Sequence, residues 1–358
     1  MNATGLDFAQ ARERLRALGG PVREKHSGGA SSLLAGAEGD ELVVHYPPHG
    51  GTPASWRFPH DPALPHLADV AALLAGDGWE PPLPDALAGA AVERRLMYNP
   101  ARRAAFLLRP VAGGGPVVLK LLSETEAPAS LRALRAVAAS DLPARIPMPR
   151  LLSAAPGAGA LLLDYLPGEP VTDWTPAVLD GVADALAAVH GADLDGVPAW
   201  SARRDVAKLE RLLALLALAD DEAAATLRPA TAALADRLAA EPLRTTTIHR
   251  DFTARHVLRV AGGGIGILDW DSVSTGPPEK DVATLAASLG ARAPGLLDRY
   301  ERATGRALQR ELLTALVQTQ RLTRACRRLL AGERPLAWGA QAADDVMAAL
   351  HRDPLVAT

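Results

Sequence analysis

Apolar runs in the first half of the chain predict strands. Three of them, at residues 92–98, 104–109 and 116–122, follow one another closely and are separated by short polar or glycine-rich turns. This spacing is typical of an antiparallel meander. Two further runs, at residues 147–153 and 160–165, predict two more strands. Together these stretches predict a small antiparallel sheet.

Helical periodicity dominates the second half of the chain. From residue 175 to 190 apolar side chains such as Val178, Val182 and Leu186 recur at helical spacing and predict an amphipathic helix. Other segments with a helical pattern are 123–139, with Pro128 in an early turn, 201–238, 303–330 and 338–350. The sequence therefore predicts a part that contains the sheet, followed by a mostly helical part.

Residues 1–90 are less regular. They predict a helix at 8–18, strands at 41–46 and 56–58, and a helix at 67–75, with prolines and glycines that force turns between them. This segment is expected to be an N-terminal extension with short elements of its own.

One stretch, residues 248–271, combines a predicted hairpin with ionisable side chains. The apolar runs 257–260 and 265–268 flank residues 261–264, an alanine and three glycines that favour a tight turn. An antiparallel hairpin brings the start of its first strand beside the end of its second. His256 and Asp269 are therefore expected to lie together at one end of the hairpin.

Three more ionisable residues flank the same hairpin. His249 and Asp251 precede it, and Asp271 follows it. Acidic residues at hairpin ends are common, and each one taken singly fits a solvated loop. Their order is more specific, because His-x-Asp, a short hairpin and then Asp-aromatic-acid is how eukaryotic-like kinases present a catalytic loop and a metal-binding Asp.

This stretch resembles the aminoglycoside phosphotransferase and choline kinase superfamily, whose usual motif is HGDxxxxN followed by IDFE or IDWD. Arg250 stands where that family commonly has Gly, and His256 where it usually has Asn. The resemblance implies an α+β, bilobal protein-kinase-like fold. The small lobe would hold an antiparallel sheet and a helix, and the large lobe would be mostly helical. Expected domains are the extension at 1–90, the small lobe at 91–168 ending in a hinge, and the large lobe at 169–358 with the acceptor pocket. The extension is interpreted either as a cap like that of maltokinases or as a structural extension of the small lobe.

The resemblance also implies roles for the residues around the hairpin. Asp251 would orient the acceptor hydroxyl and take its proton, and Asp269 would bind Mg²⁺, with Mn²⁺ as the alternative. His256 would either bind the metal and shift its preference or hydrogen-bond Asp251, and the second interpretation is favoured. Supporting roles are implied for three residues: His249, Asp271 and Asp281.

A second set of residues is expected to hold the nucleotide. Lys120 stands within the apolar strand sequence VVLK, where an ammonium group needs a partner, and by resemblance it contacts the α and β phosphates. Glu126, or alternatively Glu124, would hold that ammonium group. Arg102 and Arg103, in the first turn of the meander, would help to cover the phosphates. The alternatives are a solvent-exposed lysine at a sheet edge and solvated arginines.

The hinge is expected around Asp164 and Leu166, whose main-chain atoms would bond the adenine edge, as the resemblance implies. The pattern there, an apolar strand followed by Pro-Gly, equally fits an ordinary strand and turn.

Composition limits the partners. The net charge of −3 and pI near 6.3 do not favour nucleic acid or an anionic membrane. The single cysteine, Cys326, excludes an internal disulfide, fits a reducing cytosol and is interpreted as structural. No signal peptide is evident, and the apolar run at 212–219 is too short for a bilayer. We therefore expect a cytoplasmic protein, a monomer or homodimer, without nucleic-acid or membrane partners.

The expected activity is ATP- or GTP-dependent transfer of a γ-phosphoryl group to a hydroxyl of a small molecule, namely a sugar, amino sugar or aminoglycoside-like acceptor. A small alcohol or amino-alcohol kinase and a non-catalytic, nucleotide-binding pseudokinase are the alternatives. Arginines recur towards the C-terminus, at Arg321, Arg324, Arg327 and Arg328. If they face the acceptor pocket, a polycationic acceptor would be repelled.

Overall fold

The computed structural model describes residues 8–17, 22–27, 30–47, 52–87, 89–111, 113–240, 244–290 and 295–330, together with residues 343, 344 and 348. The strands in this part of the chain are β1 (Val22–Ser27), β2 (Ala30–Ala35), β3 (Leu42–Tyr46), β4 (Ala54–Arg57), β5 (Ala91–Asn99), β6 (Arg103–Arg109), β7 (Val117–Leu122), β8 (Leu151–Ala155), β9 (Ala160–Asp164), β10 (Glu169–Pro170), β11 (Thr246–Ile248), β12 (Val257–Arg259), β13 (Ile265–Ile267) and β14 (Ser274–Gly276). The helices are α1 (Phe8–Arg16), α2 (Val70–Ala75), α3 (Ala127–Ala139), α4 (Leu142–Arg145), α5 (Pro176–Gly191), α6 (Ala202–Ala219), α7 (Asp221–Ala240), α8 (Glu279–Leu289), α9 (Leu296–Thr304) and α10 (Arg310–Leu330). Within the described residues, no helix combines the length and apolar character needed to cross a lipid bilayer.

The chain forms two compact units. Unit 1 comprises Met1–Leu131, Leu151–Tyr165 and Arg211–Ala224, and unit 2 comprises Arg132–Arg150, Leu166–Glu210 and Ala225–Thr358. The three-part division at residues 90 and 168 stays a prediction.

Unit 1 contains two antiparallel sheets. The predicted meander is confirmed as part of a five-stranded sheet with the order β5-β6-β7-β9-β8. The extension forms a four-stranded sheet with the order β1-β2-β3-β4. Leu34 and Val43 of the extension share one hydrophobic core with Leu108 and Leu119 of the meander, so the extension and the meander are stabilised together.

Sequence patterns missed β1 and β2. The β1 sequence, VREKHS, is almost entirely polar and carries no strand periodicity. Its order comes from pairing with β2, which pairs in turn with β3.

Strand β8 was predicted too early, at 147–153, and is found at Leu151–Ala155. Pro147 and Pro149 lack the N–H that a strand ladder needs, and the carbonyl of Pro147 instead accepts a hydrogen bond of 2.9 Å from the N–H of Ile267.

Unit 2 is mostly helical, as predicted. The helix α5 begins after Thr175, whose hydroxyl accepts a hydrogen bond from the N–H of Val178. A Cβ atom at Gly181 would lie 2.9 Å from the side chain of Ile265, so glycine allows α5 to approach β13 closely. The helix predicted at 303–330 was predicted to begin too early: residues 303 and 304 end α9, Gly305 follows with a φ of +63°, and α10 begins at Arg310. The predicted helix at 338–350 lies largely outside the described residues.

The predicted hairpin of unit 2 is confirmed. In it β12 pairs with β13, Val257 opposite Ile267. Gly262 and Gly263 supply the positive φ values of the turn, +80° and +81°. The N–H of Leu268 donates to the carbonyl of His256, which fixes the two ends of the hairpin side by side.

Candidate active site

The loop that precedes the hairpin is anchored to the start of α8. We call residues 249–256 the HRD loop, after His249, Arg250 and Asp251. The carboxylate of Asp281 accepts hydrogen bonds from the backbone N–H groups of His249, at 2.6 Å, and Arg250, at 2.7 Å. Arg250 has a φ of +72°, a conformation that glycine adopts more readily, and the two hydrogen bonds help to hold it.

Asp281 is itself fully buried and is also hydrogen-bonded to His190. Its carboxylate lies 3.2 Å from Nε2 of His190, and Nδ1 of the same ring lies 2.8 Å from the hydroxyl of Tyr300. A buried carboxylate with this many hydrogen-bond partners is held in one orientation. Asp281 therefore connects α5, α9 and the HRD loop.

His249 links the HRD loop to the far end of the hairpin. Its Nε2–H donates to the carbonyl of Leu268 at 2.9 Å. The buried ring also packs against Phe252 and Trp270, with centroids 5.6 and 4.9 Å away. Asp271, in the turn that begins with Trp270, is 6% exposed.

Three functional groups meet where the loop joins the hairpin. Nδ1 of His256 lies 3.7 Å from a carboxylate oxygen of Asp251, and Nε2 lies 3.8 Å from one of Asp269. One ligand atom from each of the three residues lies within 4.8 Å of the other two. The expected convergence of His256 and Asp269 is thus present in the structure.

The hydrogen bonds of His256 define its tautomer. Nδ1 lies 2.8 Å from the backbone carbonyl of Asp251 and must donate to it, whereas Nε2 accepts from Nε–H of Arg255 at 3.1 Å. Burial lowers the pKa of His256, while the carboxylates of Asp251 and Asp269 act in the opposite direction. The ring is therefore neutral at pH 7.

The chemistry of this group fits a divalent cation. Asp251 and Asp269 supply carboxylate oxygens, which hard cations prefer, and both side chains remain partly exposed, at 34% and 22%. The neutral imidazole of His256 adds a nitrogen ligand, which suits softer divalent ions better than Mg²⁺. Asp269 has a φ of +68°, so its backbone is held in a conformation that few non-glycine residues adopt.

Sequence reasoning missed Arg255. Its guanidinium lies 3.2 Å from the carboxylate of Asp251, and the side chain is 72% exposed. The only available signal was its position four residues after Asp251, which in a loop of unknown conformation does not predict a contact.

The residues expected to bind the nucleotide phosphates lie in unit 1. Lys120 is half-buried on β7 and lies opposite Ala105 of β6 and Leu161 of β9, so it stands in the middle of the sheet. Arg102 forms an ion pair with Glu126. The proposed pairing of Glu126 with Lys120 stays a prediction.

The turn between β5 and β6 is anchored by Asp61, a residue that sequence reasoning missed. The N–H of Ala101 donates to the buried carboxylate of Asp61 at 2.7 Å. The N–H of Ser123, after β7, donates to the carbonyl of Arg102, and Arg103 begins β6 opposite Asn99. This turn is thus held from two sides within unit 1.

The two expected hinge residues belong to different units. Asp164 is the last residue of β9 in unit 1 and lies opposite Val117 of β7. Leu166 belongs to unit 2, where its side chain covers Gly266, since a Cβ atom at Gly266 would lie 2.8 Å from it.

The structure is similar to solved structures of small-molecule kinases. Choline kinase LicA from Streptococcus pneumoniae matches with a TM-score of 0.54 and 17% identity, over 73% of this chain and 93% of its own. A choline/ethanolamine kinase family protein from Mesorhizobium loti matches with a TM-score of 0.54 and 18% identity, over 80% and 95%. A thermostable mutant of aminoglycoside phosphotransferase APH(4)-Ia, in complex with ADP and hygromycin B, matches with a TM-score of 0.51 and 19% identity, over 73% and 96%. At these identities the likeness shows the protein-kinase-like α+β fold.

Sequence comparison identifies the family. No curated protein matches the chain. The family model for APH, described as the phosphotransferase enzyme family, matches residues 24–316, which is most of the 358 residues. The chain therefore belongs to the phosphotransferase enzyme family.

Proposed function

We propose that this protein transfers the γ-phosphoryl group of ATP or GTP to a hydroxyl group of a small molecule, a sugar, amino sugar or aminoglycoside-like compound. The observation that carries the proposal is the grouping of Asp251, His256 and Asp269, whose ligand atoms lie within 4.8 Å of one another at the end of the hairpin. Phosphoryl transfer needs a group that orients the attacking hydroxyl next to groups that neutralise phosphate charge.

Asp251 is the proposed catalytic residue. Its carboxylate accepts a hydrogen bond from the acceptor hydroxyl and aims that oxygen at the γ-phosphorus. The new O–P bond forms as the bond from phosphorus to the β,γ-bridging oxygen breaks, and the hydroxyl proton passes to Asp251. Because the transition state is loose, a weak base in the right position suffices.

The residues proposed to bind the nucleotide are those that the resemblance to the kinase superfamily implies. Lys120 contacts the α and β phosphates, and the turn with Arg102 and Arg103 covers them. Glu126 orients the cationic groups around it, as its ion pair with Arg102 supports. Main-chain atoms of two residues, Asp164 and Leu166, bond the adenine edge. The ADP in the APH(4)-Ia complex and the AMP in a complex of LicA support a nucleotide as the donor.

Asp269 and His256 are proposed to hold Mg²⁺ or Mn²⁺. The ion would neutralise charge on the nucleotide phosphates. The chain's own contribution is the arrangement of the ligands. Nδ1–H of His256 donates to the carbonyl of Asp251, so Nε2 carries the lone pair on the side of Asp269, and this lone pair would bind the ion in place of the Nε–H of Arg255 that it now accepts. His249 and Asp281 keep the HRD loop in place, and we propose that Asp271 supports the ligands from within the turn that follows Asp269.

The test is ADP release with Mg-ATP and Mg-GTP against panels of sugars, amino sugars, aminoglycosides and amino alcohols. We expect acceptor-dependent ADP release, and Asp251→Asn should lower kcat by about 10²–10⁴ while leaving nucleotide affinity largely intact. Asp184→Asn, an exposed change on α5, is the matched control and should retain full activity.

Other outcomes of this test have defined meanings. Activity confined to amino alcohols would support the alternative of a small-alcohol kinase. Nucleotide binding with no transfer to any panel, and no effect of Asp251→Asn, would contradict catalysis and support a pseudokinase.

A further inference from the structure

Positive charges are concentrated around Asp251 in unit 2. The most direct is Arg255, whose guanidinium lies 3.2 Å from the Asp251 carboxylate and is otherwise largely exposed. Its Nε–H is used by His256, so the guanidinium is held beside the carboxylate and not only attracted to it. The planar fork of arginine can bind an oxyanion through its remaining N–H groups.

Near its C-terminal end, α8 contacts both the loop that carries Arg255 and a second arginine-containing segment, α10. The hydroxyl of Ser288 accepts a hydrogen bond of 3.0 Å from the N–H of Ala254, which precedes Arg255. The neighbouring residue, Ala287, uses its carbonyl to accept a hydrogen bond from Arg324 of α10. The loop just before Arg255 and the side chain of Arg324 therefore bind to adjacent residues near the C-terminal end of α8.

Arg327 lies one turn after Arg324 on α10 and is exposed. The pKa of Arg327 is lowered by partial burial of its guanidinium and then by the charge of Arg255, whereas the charge of Asp251 raises it. These influences place Arg327 within electrostatic reach of both Asp251 and Arg255.

Lys208, on α6, belongs to a third segment whose charges interact with Asp251. On α6, Asp205 stands one turn before it, forms an ion pair with Lys280 and accepts a hydrogen bond from the indole of Trp200. Since Lys280 precedes the loop anchor Asp281, this ion pair ties α6 to the start of α8, where the HRD loop is anchored. Burial, followed by the charge of Arg327, lowers the pKa of Lys208 to about 8, and Asp251 acts in the opposite direction.

The resulting cluster, which we call the cationic cluster, consists of Lys208, Arg255, Arg324 and Arg327. It comes from three separate segments, and the pKa values of Lys208 and Arg324 are lowered first by burial and then by the neighbouring positive charges. Arginines on an exposed helix face are common, but here the charge of one carboxylate, Asp251, acts on Arg327 of the helix, on the loop residue Arg255 and on the half-buried Lys208. Mutual repulsion of this kind is relieved when an anion binds.

We propose that the acceptor of this enzyme carries a carboxylate or phosphate group in addition to the hydroxyl that is phosphorylated, and that Arg255, Arg327 and Lys208 bind this anionic group beside Asp251. The inference rests on the proposed function for the identity of the reaction, and it adds the charge of the acceptor. An anion held by the cluster would present a neighbouring hydroxyl to Asp251. A polycationic aminoglycoside would be repelled at the same place.

Matched acceptors test the proposal. Glucose, gluconate, glucose 6-phosphate, glucosamine and kanamycin are compared in the ADP-release assay at low ionic strength. We expect kcat/KM for gluconate or glucose 6-phosphate to exceed that for glucose at least tenfold. Comparing gluconate with glucose 6-phosphate shows whether the site prefers a carboxylate or a phosphate. Equal or better use of glucosamine or kanamycin would overturn the proposal.

Variants locate the effect. Arg327→Gln should raise KM for the anionic acceptor about tenfold or more, a typical scale for loss of one charge-assisted contact, without changing KM for ATP. Arg327→Lys should restore part of the affinity. Arg203→Gln removes the same charge from an exposed position near the start of α6 and should have no effect. If Arg327→Gln instead raises KM for ATP alone, the cluster serves the nucleotide and the proposal is wrong.

A binding measurement separates this proposal from the proposed function. Gluconate and glucose 6-phosphate are titrated calorimetrically into the wild type, Asp251→Asn and Arg327→Gln in the presence of a non-hydrolysable ATP analogue. Binding by the first two proteins but not by Arg327→Gln supports the anion site, even if no phosphoryl transfer occurs. Absence of binding to the wild type would overturn the inference while leaving phosphoryl transfer to a neutral acceptor untouched.

Discussion

The backbone N–H of Ala101 donates a hydrogen bond of 2.7 Å to the carboxylate of Asp61. The same carboxylate oxygen accepts from the hydroxyl of Tyr98 at 2.8 Å, and that hydroxyl accepts from the indole N–H of Trp56 at 2.9 Å. Ala101 has a φ of +59°, unusual for a residue with a Cβ atom. The extension thus holds the turn that is proposed to cover the phosphates.

We predict that Asp61→Ala weakens nucleotide binding. The change leaves the N–H of Ala101 without its buried acceptor, a loss of about 1–3 kcal/mol that releases the turn. Calorimetric titration should show a Kd for ATP raised about fivefold or more. Asp69→Ala, which removes the side-chain cap of α2 in the same extension, is the control and should not change Kd. Equal nucleotide affinity in the wild type and Asp61→Ala would show that the extension is only structural.

Asp281→Asn should affect both stability and turnover. An amide can accept only at its oxygen, so the N–H of either His249 or Arg250 faces an NH₂ group and loses its acceptor. We expect a loss of about 1–3 kcal/mol in the free energy of unfolding. Displacement of Asp251 should lower kcat about tenfold or more. Urea unfolding and steady-state kinetics measure the two effects.

Glu279→Gln provides the comparison for Asp281→Asn. Glu279 is also buried in the first turn of α8, but its carboxylate accepts from the N–H of Gln309 and not from the HRD loop. No fall in kcat is expected there, and the amide oxygen can still accept from the N–H of Gln309. If both variants lose turnover equally, Asp281 has no special role in holding the loop.

His256→Asn should keep at least the wild-type turnover with Mg²⁺. The amide can still donate towards the carbonyl of Asp251, and its oxygen replaces a nitrogen that suits Mg²⁺ poorly. The ratio of activity with Mn²⁺ to activity with Mg²⁺ should therefore fall. His256→Ala, which removes both functions, should lose activity with both ions. A hundredfold loss in His256→Asn would mean that the imidazole has an essential task of its own.

Cys326 should not react in the folded protein. It is fully buried, and burial raises the pKa of its thiol to about 12, so the reactive thiolate is scarce. Iodoacetamide at about pH 8, close to the pKa of a free thiol, should label the native protein slowly and the urea-unfolded protein completely, as mass spectrometry can measure. Rapid labelling of the native protein would contradict the structural interpretation of this cysteine.

The sequence was sufficient wherever the interactions are local. The apolar runs on either side of Ala261–Gly263 predict the hairpin, and hairpin pairing is settled by the turn between its strands. That register alone brings His256 to Asp269. The backbone angle of Arg250, a φ of +72°, likewise explains why glycine is common at this position of the motif.

Only the tertiary structure decided which distant side chains join this local frame. The polar strand β1 has no periodicity of its own and depends on its partner. The cationic cluster forms because α8 packs against α10, because the ion pair of Asp205 with Lys280 ties α6 to α8, and because Ser288 holds the loop just before Arg255. Asp61 reaches Ala101 in the same way, through a shared core. Such contacts depend on how buried faces fit over long sequence separations, and a pattern of nearby residues does not record that fit.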